Sequence, residues 1–151
     1  MKINLTQNKN FKLFKIISKV AQENNQTVYI VGGYVRDLLM QRKAPTDIDF
    51  VTEQSGIELA KAVGKELGDL KVSVFKTYGT AMIKYKDLDL EFVGARKESY
   101  SEDSRKPAVE TGTLEDDQKR RDFTVNALAI SINEENFGEL IDPFNGREDM
   151  Q

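Results

Sequence analysis

The sequence predicts an α/β (α+β) fold, a mixed sheet of about five strands with flanking helices. Short β-branched and aromatic runs such as residues 28–31 end at glycine, as buried strands do. Longer segments with apolar residues at three- and four-residue spacing alternate with these runs. The strand pattern over residues 88–95 opens with alternation, setting Leu88, Leu90 and Phe92 against Asp89 and Glu91, the period of a strand with one buried face.

Taken in order, residues 1–25 read as an N-terminal helix. Phe11, Phe14, Ile17 and Ala21 share a face, Lys12, Lys15 and Lys19 lie between them, and Asn24-Asn25 is the stop. A basic amphipathic helix also suits a membrane surface or RNA, but packing against the sheet is the ordinary use of the pattern. Residues 28–31 form a strand, Gly32-Gly33 a tight turn free of Cβ atoms, and residues 34–40 a short helix with Val35, Leu38 and Leu39 on one side. A second strand opens with Asp47-Ile48-Asp49. Residues 53–67 read as a helix burying Ile57, Leu59, Ala60, Val63 and Leu67, with Gly68 as its cap. Strands over 72–75, 80–85 and 88–95 follow, with turns at Tyr78-Gly79 and Lys86-Asp87. Residues 101–110 are polar, contain a proline and read as a mobile loop. Thr113 with Glu115-Asp116 marks a helix start. Asp122 caps another helix running to Ser131, with Phe123, Ala127 and Ile130 as its stripe and Asp122 and Asn126 sharing another face. Residues 140–146 read as a strand end and a turn.

The 151 residues suit one domain, with 39% hydrophobic residues for a core and 31% charged residues for a water-facing surface. No apolar run reaches the length of a membrane span and no secretory signal is visible, so cytoplasmic location is the default. The sequence has no cysteine and no histidine. Disulfides, thiolate or imidazole metal sites and a histidine base are thereby excluded, leaving carboxylates, Lys, Tyr or water for acid–base and metal chemistry. The net charge of −3 argues against a stand-alone nucleic-acid binder. Lys119-Arg120-Arg121 is the clearest basic cluster.

The chemistry concentrates in residues 28–52. Exposed amides of the Gly32-Gly33 turn and the helix start suit phosphate, and Arg36 adds a charged fork for its oxygens. Asp47 and Asp49, two apart in a strand, put their carboxylates on one face with Cα atoms roughly 7 Å apart. Hard oxygen donors of this kind suit Mg²⁺, which can clamp the attacking and leaving oxygens of a phosphoryl transfer. Alone, D-x-D equally describes a solvated strand edge and GG a plain turn. The full order of strand, GG, V-R-D helix, loop and D-x-D is far more specific.

GGYVRDLLMQRKAPTDIDFVT, residues 32–52, resembles the signature of class II tRNA nucleotidyltransferases, the CCA-adding enzymes, and of the related bacterial poly(A) polymerases. These belong to the polymerase-β-like nucleotidyltransferase superfamily. RRDFTVNALA, residues 120–129, is nearly word for word the family's second signature. Arg96 to Tyr100 is similar to the family's R-x-E-x-Y, and Asp142, Gly146 and Asp149 resemble its third motif, D-P-x-x-G-x-x-D.

The resemblance implies a head domain over 1–151, with an N-terminal helix at 1–25, a catalytic core at 28–132 and the start of a head–neck junction at 133–151. It implies template-independent, Mg²⁺-dependent transfer of CMP or AMP from CTP or ATP to a tRNA 3′-hydroxyl, with two ions held by Asp47 and Asp49. The third carboxylate is assigned to Glu91, with Asp89 as runner-up. Gly32, Gly33, Arg36, Arg120 and Arg121 would meet phosphates, and Asp122 and Asn126 the ribose. A structural role is assigned to Asp142, Gly146 and Asp149. The loop over 101–110 would border the nucleotide and primer. The Glu-Asp-x-x-Arg-x-x-Arg helix that chooses the base and the helical body that grips tRNA do not occur in the sequence, the expectation being a head separated from neck, body and tail. Tyr34 departs from the small residue usual there, and its ring is expected to shade the pocket or stack on the nucleotide. Poly(A) polymerase, partial CC- or A-addition, and a non-catalytic nucleotide-binding module remain the alternatives.

Overall fold

Residues 1–43, 45–99, 108–119 and 127–142 are described by a computed structural model. The elements run α1 (Phe11–Glu23), β1 (Tyr29–Val31), α2 (Gly33–Leu39), β2 (Asp47–Thr52), α3 (Gly56–Glu66), β3 (Val72–Phe75), β4 (Thr80–Tyr85), β5 (Leu88–Gly94), β6 (Arg96–Ser99), β7 (Ala108–Thr111), α4 (Leu114–Lys119), β8 (Ala129–Ser131) and β9 (Leu140–Ile141). Seven strands form one sheet in the order β3-β4-β5-β2-β1-β8-β9, while β6 and β7 pair separately. The β2–β5 pair is parallel and the other pairs are antiparallel.

Alternation along β2 sorts its side chains. Ile48 and Phe50 enter the main core with Phe14 and Ile17 of α1, Val35 of α2, and Leu59 and Val63 of α3. Val51 faces the other way, into a smaller cluster with Val31, Ala95, Leu114 and Ala129. Behind β2 runs an aromatic chain. Phe50 stacks on Phe92 at 5.0 Å, Phe14 meets Phe50 edge-on at 6.3 Å, and Tyr34 meets Phe14 edge-on at 5.8 Å.

The predicted strands over 28–31, 47–52, 72–75, 80–85 and 88–95 are present with ends shifted by at most a residue. The first helix is shorter than expected, spanning Phe11–Glu23. The preceding residues have another use: Lys2 bridges Glu139, and Leu140 N–H donates to the Met1 carbonyl at 2.9 Å. The expected helix from Asp122 to Ser131 is corrected over its described end, since Ala129–Ser131 is strand β8 between β1 and β9. Residues 127–132 are buried throughout, and a short, wholly buried apolar run carries no period that separates helix from strand. This strand and β9 raise the sheet from about five strands to seven. Within the expected loop over 101–110, Ala108 to Glu110 belong to β7, and residues 101–107 lie outside the described residues. Among the described residues no helix is long and apolar enough to cross a membrane.

Helix α3 starts three residues later than predicted because Ser55 caps it, its Oγ accepting from Glu58 N–H at 3.1 Å. Gly56 lies against β5. A Cβ there would stand 2.8 Å from Gly94 N and Val93 C, and 2.9 Å from the Phe92 carbonyl oxygen. Helix α4 lies over the face opposite α1, α2 and α3, as the Leu114 it places in the Val31–Val51 cluster shows. Thr113 and Asp116 cap its start reciprocally, and Glu53 Oε2 accepts from Leu114 N–H at 2.9 Å. Burial chiefly, then the nearby Glu53 carboxylate, raises the Tyr29 phenol above the ordinary tyrosine value.

Gly56→Ala is expected to cost about 1–3 kcal/mol, because backbone has to yield to the new methyl; urea unfolding measures it. The raised Tyr29 value means that folding favours the neutral phenol. That stabilisation is complete below the ordinary tyrosine value and is lost as pH rises through the higher folded value. Stability measured by urea from about pH 8 to about pH 11 should therefore fall less steeply in Tyr29→Phe than in the parent chain.

Candidate active site

Strand β2 carries both aspartates on the face turned away from the main core. Asp47 is exposed and Asp49 half-buried, while the intervening Ile48 is fully buried. Parallel pairing sets Asp47 opposite Asp89 and Asp49 opposite Glu91. Antiparallel pairing on the other side sets Asp49 opposite Val31, the residue before the glycine turn. Both β5 acids are half-buried and share the aspartates' face. The sheet thus brings together Asp47, Asp49, Glu91 and the turn. It also brings Asp89, so register alone does not separate the two candidates for the third carboxylate. Among the described residues no group of three or more acidic side chains stands as a metal cluster.

Gly32 has φ +75° and ψ −141°, a backbone that L side chains rarely adopt. A Cβ on it would lie 3.7 Å from Asp49 Oδ2, so the turn runs directly past that carboxylate. Gly33 starts α2, and a Cβ there would stand 3.4 Å from Arg36 Nη2. Arg36 therefore curls back along the turn. Its Nε donates to Asp37 Oδ1 at 3.1 Å.

Tyr34 is corrected. The residue is 2% exposed and its ring packs on Phe14 in the core, so it has no open face to shade a pocket or stack on a ligand. Asn10 Nδ2 donates to the Tyr34 hydroxyl at 3.0 Å, and that hydroxyl donates to Asn8 Oδ1 at 3.1 Å. One helical position from Gly33 is far enough round α2 to point into the core.

Arg120, Arg121, Asp122 and Asn126 lie outside the described residues, as do Gly146 and Asp149. Their flanks are placed. Gln118 Nε2 donates to the carbonyls of Ala127 at 2.8 Å and Ile141 at 3.2 Å, tying α4 to the chain entering β8. That entry is at the sheet end that holds the aspartates, because Ala129 pairs with Val31 and Val31 with Asp49. No local pattern marks Gln118 or Glu53 as anchors, since both act on backbone distant in sequence. Asp142 is described and half-buried beside β9.

The mixed sheet, with its aspartate pair beside a two-glycine turn, defines a nucleotidyltransferase-type fold. The family described as poly A polymerase head domain matches residues 28–151, and the chain belongs to it. The A-adding tRNA nucleotidyltransferase of Aquifex aeolicus (strain VF5) is 47% identical over 123 residues, covering 82% of this chain and 15% of the relative. A CCA-adding enzyme in apo form II aligns with TM-score 0.85 and 38% identity, over 96% of this chain and 34% of that one. A tRNA nucleotidyltransferase complexed with a primer tRNA and an incoming ATP analogue aligns with TM-score 0.76 and 42% identity, over 89% of this chain and 36% of that one. The chain thus spans about a third or less of the length of these proteins.

Tyr34→Phe should lower stability by about 1–2 kcal/mol, since the buried Asn10 amide loses its acceptor. Affinity for nucleoside triphosphates should not change, and calorimetry alongside urea unfolding separates the two effects.

Proposed function

We propose that this chain is the catalytic head of a template-independent RNA nucleotidyltransferase that adds CMP or AMP, from CTP or ATP, to the 3′-hydroxyl of tRNA. The observation that carries the proposal is Asp49. It shares a face with Asp47, stands opposite Glu91 in register, and has the Gly32 turn against its carboxylate. The domain reading follows: residues 28–132 are the catalytic core, and residues 133–151 begin the junction with a neck. The place of work is the cytoplasm.

The donor set fits a hard divalent cation, since Asp47 and Asp49 offer oxygens only, on an accessible face, in a chain without histidine or cysteine. Asp47 and Asp49 would hold two Mg²⁺, with Glu91 as the third carboxylate. Bound there, Mg²⁺ supplies positive charge that acidifies the attacking hydroxyl and neutralises the departing pyrophosphate. The RNA 3′-oxygen bonds to the α-phosphorus, the bond to the bridging oxygen of the β-phosphate breaks, and pyrophosphate leaves. With no histidine, the hydroxyl proton goes to a carboxylate or to water. Gly32 and Gly33 let the backbone approach the triphosphate. Arg36, Arg120 and Arg121 bind its oxygens, and Asp122 and Asn126 bind the ribose. The name of the Aquifex relative favours addition of A alone as the second reading.

Asp47→Asn and Asp49→Asn should each lower nucleotide incorporation into a tRNA ending before its last residues by on the order of a hundredfold or more. A product ladder distinguishes three added nucleotides, a single A and a long A tail. No Glu-Asp-x-x-Arg-x-x-Arg segment occurs in the sequence, so ATP, CTP, GTP and UTP should bind these residues with similar affinity in Mg²⁺. Incorporation retained by both aspartate variants would end the catalytic reading.

A further inference from the structure

Asp37 is an acid at the site that the proposed chemistry leaves unused. Its side chain is 16% exposed, with Oδ1 3.1 Å from Arg36 Nε and 3.9 Å from Arg42 Nη1. The Arg42 backbone N–H also donates to the Asp37 carbonyl at 2.9 Å, which folds the turn after α2 back over Asp37. One carboxylate thus sits between two guanidinium groups, and the trio keeps a net positive charge.

The nitrogen that Asp37 engages decides its role. Nε is the inner donor of the guanidinium, so occupying it fixes the plane of the fork and leaves both terminal nitrogens to bind elsewhere. One of these, Nη2, lies near Gly33, while Asp49 Oδ2 lies near Gly32. Guanidinium and carboxylate thus each border one of the two adjacent glycines. A partly exposed pair between adjacent residues contributes little to fold stability, so holding the fold together does not explain it.

We infer that Asp37 is a positioning residue: through Nε it holds Arg36 so that its terminal nitrogens meet the triphosphate beside Asp49. The inference rests on the phosphate-binding role proposed for Arg36. It makes a prediction opposite in sign to simple Coulomb attraction. Removing a negative charge beside an anion site would tighten anion binding if charge alone mattered. If positioning matters, removal weakens it.

The test is a double-mutant cycle on this chain, with calorimetric titration of ATP in Mg²⁺. Asp37→Ala should weaken binding about tenfold, and Arg36→Ala at least as much. The double variant should bind within about twofold of Arg36→Ala, because Asp37 acts only through that side chain. Asp37→Asn, which keeps an acceptor for Nε, should recover most of the affinity. Unchanged or tighter binding by Asp37→Ala overturns the inference. So does an equal loss when Asp37→Ala is made on top of Arg36→Ala, which would mark a general structural effect. Arg36→Ala without effect would instead remove the phosphate role of Arg36, and the inference with it.

Discussion

Parallel pairing of β2 with β5 is the constraint on which the rest depends. Only in that register does Asp49 stand opposite Glu91 while Phe50 stacks on Phe92 behind them. Parallel neighbours cannot be joined by a tight turn. Here the chain leaves β2, crosses as α3, and returns through the β3–β4 hairpin before β5. The crossing works because α3 begins on a glycine pressed against the β5 backbone. A position with no chemistry of its own thereby lets the helix sit on the strand that carries Asp89 and Glu91.

The two faces of the sheet do different work. One is sealed by α1, α2 and α3 and is apolar to its centre. The other is only partly covered, by a small cluster to which α4 contributes Leu114. Glu53 anchors α4 by one hydrogen bond to backbone and Gln118 by two, beside the small apolar contact of Leu114. The acids lie just beyond that cluster, with Asp47 exposed and Asp49, Asp89 and Glu91 half-buried. The chain spends its apolar residues behind the site and leaves the front to charge.

Much of this was legible from local pattern. The alternation in residues 47–52 and 88–95 placed the acids on one face, and the Gly-Gly turn announced a backbone that other residues resist. What local pattern could not supply was partnership. Parallel pairing of β2 with β5 joins segments about forty residues apart, and the Glu53–Leu114 bond spans 61. The end of the expected Asp122–Ser131 helix is strand β8 instead, because full burial erases the period that tells a strand from a helix. Tyr34 was misread because adjacency to the turn in sequence was taken for adjacency to the ligand. On a helix the next residue is rotated by about a hundred degrees. The bridge at Lys2 carried no periodic signal, since its partner, Glu139, lies more than a hundred residues on.

That last contact has a consequence for how such a head is used. Met1 and Lys2 lie along β9, and Ile141 closes the same strand beside Ala129. The first and last described residues of the fold thus share one border of the sheet, and the opposite border, β3, is left to the hairpin. Backbone beside β9 is thereby paired: Ile3 N–H donates to the Gly138 carbonyl at 2.7 Å and Leu140 N–H to the Met1 carbonyl at 2.9 Å. This border of the sheet is therefore closed, in that stretch, to a strand from another molecule.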